Sequence, residues 1–90
     1  MNIEIAIPPF LQPLTGNVKQ LSVSGGTVSA CLDDLVKRYP GLKERLFGRD
    51  GQLPKGINVF INGKNVYPDG LSGPVHVGDK IHISYVVLGG

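Results

Sequence analysis

The sequence has little cysteine, little net charge and no long apolar run, and each absence narrows the possible functions. Cys31, the single cysteine, excludes an internal disulfide and cannot alone form a zinc site, which fits a reducing compartment. No apolar run approaches the ~20 residues that a transmembrane helix needs. The first residues also lack the basic region and apolar segment of a signal peptide. We therefore expect a cytoplasmic protein with no membrane partner.

Positive charge is not concentrated anywhere in the chain. The formal net charge is +2 over 90 residues, and the basic residues between positions 37 and 49 are interleaved with acidic ones. A nucleic-acid-binding surface normally concentrates its charge, so we expect no nucleic-acid partner. His76 and His82 have no companion cysteine or carboxylate at a recognised metal-binding spacing, so we expect no metal site.

The phosphate-binding loop of many ATP-using enzymes is also missing. Gly63 and Lys64 are followed by Asn65 instead of the serine or threonine that this motif requires. The 90 residues suffice for one small domain, residues 1–90, with one modest core and no room for a separate cofactor domain. We therefore expect a binding or carrier module that binds no cofactor itself, and not an enzyme.

The beginning of the chain predicts a hairpin of two strands. Apolar residues alternate with other residues over residues 2–7, until two prolines end the pattern, and again over residues 18–24. A turn is predicted at residues 15–17. The two strands are expected to pair antiparallel, with a long loop between them.

The clearest helix begins after Thr27, whose hydroxyl is placed to cap it. Asp34 and Arg38 are spaced to pair on its outward side, and the Pro-Gly pair at 40–41 ends it. Because Cys31 lies on the apolar stripe, we expect it in the core and not in a reaction. The positions of that stripe, at helical spacing, are Val28, Cys31, Leu32, Leu35, Val36 and Tyr39.

The second half predicts a short helical turn over residues 42–47, a polar loop and a second hairpin. β-Branched residues over 57–61 predict a strand, and residues 64–67 form the shorter returning strand. Asn62-Gly63 between them is typical of a type I′ turn.

The last strand leads directly into Gly89-Gly90. Its alternation is typical of a strand with one face buried. The two glycines let the chain end extend, and a partner can approach the final carboxyl group without meeting a Cβ. Such a tail suits entry into a narrow active site. The residues predicted on the buried face of the strand are Ile81, Ile83, Tyr85 and Val87.

This order of hairpin, helix, hairpin and final strand predicts an α+β fold. One main helix is expected to cover one face of a mixed sheet of about five strands. The strand after the helix can lie parallel to the first strand, because a crossover connects them. This is the order of elements in the β-grasp, or ubiquitin-like, fold.

Short motifs extend in this order over nearly the whole chain. They include Ile7-Pro8, Thr15-Gly16, Thr27-Val28, Tyr39-Pro40-Gly41-Leu42, Asn58-Val59-Phe60-Ile61-Asn62-Gly63, Gly78-Asp79 and Gly89-Gly90. Each is weak alone, but together they resemble the MoaD/ThiS-type ubiquitin-like sulfur carriers. The resemblance is stronger to the longer branch of that family, which includes the molybdopterin synthase small subunit and the carrier of a cysteine pathway.

The resemblance implies chemistry at the chain end. Gly90, preceded by Gly89, would be adenylated by an E1-like enzyme that uses ATP. A sulfur donor would then displace AMP and leave a C-terminal thiocarboxylate. A downstream acceptor, either cysteine synthase-like or the molybdopterin synthase large subunit, would receive the sulfur.

A partner-binding surface is expected beside the tail. If Val59 and Ile61 point to the core, Phe60 faces the side of the sheet that the helix leaves uncovered. We hypothesise that this side meets the activating enzyme, although a cross-strand contact would explain Phe60 equally well. The predicted partner-binding residues are Phe60, His82, Ser84, Val86, Val87 and Leu88.

Two other functions fit the same sequence. A ubiquitin-like modifier would use Gly90 to join a lysine of another protein, after the same activation. A plain β-grasp binding module for RNA or protein would not need Gly90 at all.

Overall fold

Five strands form one mixed sheet in the part of the chain that the computed structural model describes, residues 3–48, 51–54, 56–66 and 70–85. The strands are β1 (Ile3–Ala6), β2 (Gln20–Val23), β3 (Ile57–Ile61), β4 (Lys64–Asn65) and β5 (Lys80–Tyr85). In the same residues, the helices are α1 (Val28–Arg38) and α2 (Lys43–Leu46), and the 3-10 segments are Pro9–Thr15, Pro40–Leu42 and Gly70–Ser72. None of these helices is long and apolar enough to span a membrane.

β5 occupies the centre of the sheet, whose order is β2-β1-β5-β3-β4. It pairs parallel with β1 and antiparallel with β3, while β2 and β4 are antiparallel edge strands. The strand parallel to β1 is thus the last one, β5, and not β3, the first strand after α1, which corrects the expected crossover. A parallel pair cannot be joined by a tight turn, and the chain from β1 to β5 includes β2, α1, β3 and β4. The predicted α+β, β-grasp arrangement of one main helix on a mixed sheet is confirmed.

α1 begins as predicted, with the Ala30 backbone N–H donating to Thr27 Oγ1 at 3.1 Å. Its apolar stripe packs into a single core with one face of the sheet, and burying each large apolar side chain contributes roughly 1.5–3 kcal/mol. The core residues are Ile3, Ile5, Ile7, Leu11, Val23, Val28, Cys31, Leu32, Leu35, Leu42, Leu46, Ile57, Val59, Val75, Ile81 and Ile83.

The long loop predicted after β1 contains the 3-10 segment Pro9–Thr15. Side-chain hydrogen bonds hold it: the Gln12 amide donates to the Ile7 carbonyl at 3.0 Å, and the buried Thr15 Oγ1 lies 3.1 Å from the Gln12 carbonyl oxygen. The segment ends at Gly16, whose φ of 65° is left-handed. The sequence did not predict this segment, because 3-10 runs of seven residues are uncommon and this one has no apolar repeat of α-helical period.

The second hairpin turns as predicted, because Asn62 and Gly63 have φ of 52° and 84°, the positive values that a type I′ turn requires. The returning strand is shorter than the predicted 64–67 and comprises Lys64–Asn65. Tyr67 lies outside the described residues.

The outer edge of β2 is occupied by side chains of α1. Arg38 Nη1 donates to the Ser22 carbonyl at 2.8 Å, and Asp34 Oδ2 accepts from the Ser24 backbone N–H at 2.9 Å. Asp34 and Arg38 also pair with each other at 3.4 Å, as their spacing predicts. The helix therefore contacts the edge of the sheet as well as its face.

Candidate functional site

The candidate site is the end of β5 and the tail that follows it. β5 is paired on both sides, with β1 and with β3, so the last strand starts from inside the sheet as predicted. Its last residue is Tyr85. The predicted tail residues Val86, Val87, Leu88, Gly89 and Gly90 lie outside the described residues. The base from which the tail leaves is thus the most extensively paired strand of the described sheet.

The side of the sheet opposite α1 carries the remaining predicted partner-binding residues. Phe60 of β3 lies directly opposite His82 of β5, and Asn58 lies opposite Ser84. Val59, between Asn58 and Phe60, is fully buried in the core. Because side chains alternate along a strand, Phe60, His82 and Ser84 share the open face, as predicted. Their role in binding a partner stays a prediction.

The prediction that Tyr85 is buried is wrong. It follows the alternation of Ile81 and Ile83 but is 52% exposed. Its neighbour at the end of the strand is the ring of Phe10, itself 41% exposed, with ring centroids 5.2 Å apart and planes inclined by 43°. Sequence analysis missed this pair. The parallel pairing of β1 with β5 explains the contact, because it places the residues after β1 beside the end of β5.

The opposite end of β5 is fixed by a polar network. The Asp79 carboxylate accepts from the His76 backbone N–H at 2.8 Å and from the Asn62 amide at 2.9 Å. The Lys80 backbone N–H donates to Asn62 Oδ1 at 3.0 Å. The hydrogen bond from His76, and secondly that from Asn62, lower the pKa of Asp79. The network ties the turn before β5 to the β3–β4 turn.

Cys31 is fully buried in the core, as predicted. Its Sγ lies 3.7 Å from the Gly25 carbonyl oxygen. Burial, and secondly the charge of Asp34, raise the pKa of the Cys31 thiol. A buried thiol that keeps its proton is a poor nucleophile, so this position fits packing and not sulfur chemistry.

Three backbone N–H groups at the start of α1 are already bonded within the chain. The Val28 N–H donates to the Gly73 carbonyl, Ala30 to the Thr27 side chain and Cys31 to the Thr27 carbonyl. Gly25 is required here by packing, because a Cβ on it would lie 2.7 Å from the Cys31 backbone nitrogen. Packing therefore accounts for Gly25, and capping accounts for Thr27.

The two histidines lie apart. His76, in the turn before β5, is 3.8 Å from Asp79, and His82 is exposed on the open face opposite Phe60. In the described residues no three histidine, cysteine or acidic side chains are grouped as metal ligands.

Comparison with known proteins identifies relatives over the full length of the chain. The family model described as "ThiS family" matches residues 5–90. The sulfur carrier protein CysO of Mycobacterium tuberculosis (strain ATCC 25618 / H37Rv) is 37% identical over 93 residues, which cover 100% of each chain. Small archaeal modifier protein 1 of Haloferax volcanii is 39% identical over 64 residues, which cover 71% of this chain and 70% of the relative.

Solved structures agree with these relatives. A chain in the crystal structure of the Amycolatopsis orientalis BexX/CysO complex is 35% identical and superposes with a TM-score of 0.89, covering 98% of this chain and 99% of that one. The crystal structure of the Haloferax volcanii modifier, SAMP1, has a TM-score of 0.84 at 31% identity and covers 100% of both chains. Sulfur carriers and a modifier thus share this fold.

Proposed function

Because the chain belongs to the ThiS family, we propose that it is a sulfur carrier that transports sulfur as a thiocarboxylate on Gly90. The observation that carries the proposal is the similarity to a sulfur carrier along 100% of both chains. The central position of β5 supports it, because a tail that must enter an enzyme benefits from a fixed base. The chain would serve as a reagent and not as a catalyst.

The proposed chemistry begins with activation of the Gly90 carboxylate. A C-terminal carboxyl group has a pKa of about 3.5, so it is ionised at neutral pH and is a poor electrophile. In the proposed reaction a carboxylate oxygen attacks the α-phosphorus of ATP, pyrophosphate leaves, and an acyl adenylate forms. Hydrosulfide then attacks the carbonyl carbon, and the C–O bond to AMP breaks. The products are AMP and the thiocarboxylic acid, which releases a proton.

The ATP chemistry is assigned to a partner. An E1-like adenylating enzyme would bind ATP, and the carrier would bind no cofactor, which agrees with the absence of a phosphate-binding loop in its sequence. The sulfur acceptor would be a cysteine synthase-like enzyme or the molybdopterin synthase large subunit. The relative named CysO favours the first of these.

The open face is proposed as a surface for the activating enzyme. Phe60, His82 and Ser84 lie side by side there, and an aromatic side chain in a polar surface is typical of an interface. The tail residues Val86, Val87 and Leu88 would follow Gly90 into the enzyme. The activating enzyme would then bind the open face and the tail at the same time.

Intact mass tests the proposed function directly. The chain is incubated with the E1-like enzyme of the same organism, ATP and sodium sulfide. We expect its mass to rise by the difference between sulfur and oxygen, and deletion of Gly90 to abolish the rise. Cys31→Ala is the matched control and keeps the rise, because Cys31 lies in the core. An unchanged mass of the intact chain contradicts the proposal, and a loss of the rise in folded Cys31→Ala contradicts the assignment to Gly90.

A protein modifier is the second candidate, favoured by the 39% identity to small archaeal modifier protein 1. Its first step is the same adenylation, but the acyl group of Gly90 then passes to a lysine amine. ATP-dependent conjugates of higher mass in a cell extract, absent when Gly90 is deleted, would favour the modifier. Sulfide transfer without such conjugates favours the carrier.

A further inference from the structure

The end of the sheet where β5 finishes exposes two aromatic rings. Phe10 and Tyr85 contact each other, yet 41% and 52% of their surfaces stay exposed. They come from distant parts of the sequence, since Phe10 lies in the 3-10 segment after β1 and Tyr85 ends β5. An exposed pair of aromatic rings at one place is typical of a surface that a partner covers.

The length of the tail limits where an enzyme acting on Gly90 can dock. Five residues, 86–90, follow Tyr85 in the sequence. A fully extended chain spans about 3.3–3.6 Å per residue, so five residues reach at most about 18 Å beyond the end of β5. The molecule measures 38 Å along its longest axis. An enzyme whose active site encloses Gly90 must therefore approach the end of the sheet where Phe10 and Tyr85 lie.

We infer that the Phe10–Tyr85 pair is a docking surface for the E1-like enzyme that adenylates Gly90, at the rim of the channel that the tail enters. The inference rests on the proposed function. It selects the activating enzyme because both candidate functions, carrier and modifier, begin with that activation step. The pair lies outside the proposed open-face surface, since Tyr85 follows the alternation of the core residues while Phe60 and His82 lie on the opposite face.

The test compares the affinity of the enzyme for variants of the carrier. ATP–pyrophosphate exchange is measured with the purified E1-like enzyme of the same organism over a range of carrier concentrations. For Phe10→Ser combined with Tyr85→Thr, we expect the apparent KM for the carrier to rise by about tenfold or more, as for a central interface residue. We expect kcat to change by less than about twofold, because the inference assigns the rings to docking and not to the chemical step. Tyr85→Phe alone keeps the ring surface and should keep the low KM of the unchanged chain.

Val77→Ser is the matched control. Val77 is 62% exposed in the turn before β5, at the opposite end of that strand. This variant should keep the KM of the unchanged chain. Thermal melts verify that each variant folds, and Phe10→Ser alone, which lies outside the sheet, replaces the double variant if the latter is unfolded.

A second measurement separates docking from chemistry. The chain without Gly90 ends in a carboxylate that is one residue short of the reacting position, so we expect it not to be adenylated. It keeps both rings and should therefore inhibit exchange by the intact chain competitively. The same truncated chain with Phe10→Ser and Tyr85→Thr should inhibit about tenfold less well.

Four results overturn the inference. An unchanged KM in the double variant, or an equal rise in Val77→Ser, leaves the pair without a role while the proposed function stands. Normal adenylation with slower sulfur transfer to the acceptor assigns the pair to a different enzyme. No exchange at all with the intact chain overturns the proposed function, and the inference with it.

Discussion

The two faces of β5 are built from alternate residues of one strand, yet they differ in burial and in polarity. Ile81 and Ile83 are 0% and 5% exposed and pack in the core, whereas His82, between them, is exposed on the open face opposite Phe60. The covered face holds the strand in place. The open face is free to carry residues that a partner can contact. A small domain can therefore keep a stable base and a variable surface on the same strand.

On the covered face, Ile81→Ala should cause the largest loss of stability. Ile81 is fully buried in the central strand, and truncating such a side chain costs about 2–5 kcal/mol. Urea unfolding of this variant should show a large loss of stability. His82→Ala, one residue away on the open face, is the control and should cost about 0.5 kcal/mol or less. Equal losses in the two variants would contradict the assignment of the faces.

Gly25→Ala should lower the stability of the protein by less than Ile81→Ala does, because it crowds the start of α1. The new Cβ would lie 2.7 Å from the Cys31 nitrogen and 2.8 Å from the Ala30 carbonyl carbon, and these backbone atoms cannot move without the helix. Such overpacking costs about 1–3 kcal/mol. Gly26→Ala is the matched control, because its Cβ would have no atom within 4 Å. Thermal melting compares the two, and equal melting temperatures would refute the packing argument.

Thr27→Ala should lower stability by about 1 kcal/mol, because the Ala30 N–H loses its acceptor at the start of α1. Thr27→Ser keeps a hydroxyl and should recover most of that loss. Circular dichroism during urea unfolding measures both variants. If Ser is as destabilising as Ala, the hydrogen bond is not the cause.

Phe60→Ala tests the open face, where a small effect on stability is expected. Phe60 is only partly buried, and a cross-strand pair contributes about 0.2–1 kcal/mol. Adenylation of Gly90 should nevertheless weaken, with a higher KM for the carrier in pyrophosphate exchange. Asn65→Ala, opposite Phe60 on the edge strand β4, is the control. Unchanged activation of Phe60→Ala would contradict a role in partner binding and leave the cross-strand contact as the explanation of Phe60.

The smallest effect is expected from Asp79→Asn and only in acid. The pKa of Asp79 is lowered in the folded state, so its contribution to stability is fully present above the unfolded pKa of about 3.9. That contribution is lost as the pH falls through the lowered folded pKa. The unchanged chain should therefore lose stability below about pH 4 more steeply than the variant. Parallel pH profiles of the unfolding free energy would contradict this.

Local chemical signals made much of the fold predictable. A threonine before an apolar helical repeat located the start of α1, and Asn62-Gly63 located a turn that needs positive φ. These signals depend on a few neighbouring residues. The alternation in β5 also identified which residues face α1, and Ile81 and Ile83 are buried accordingly.

The sequence alone could not predict the exposure of Tyr85 or its contact with Phe10. Alternation tells which side of a sheet a residue faces, but not how far the covering elements extend along it. The Phe10–Tyr85 contact and the Asn62–Asp79 hydrogen bond join residues far apart in sequence, so no local pattern encodes them. Alternation therefore located Phe60 and His82 on the open face but could not locate the Phe10–Tyr85 pair.

The contacts of Arg38 and Asp34 with β2 affect how the protein behaves when concentrated. An exposed edge strand is a template on which another chain can add a strand and begin to aggregate. At Ser22 and Ser24, the carbonyl and the N–H that an incoming strand would use are already bonded to charged side chains. A second molecule would have to displace both before it could extend the sheet there. Arg38 and Asp34 thus protect this edge against the addition of a strand from another molecule.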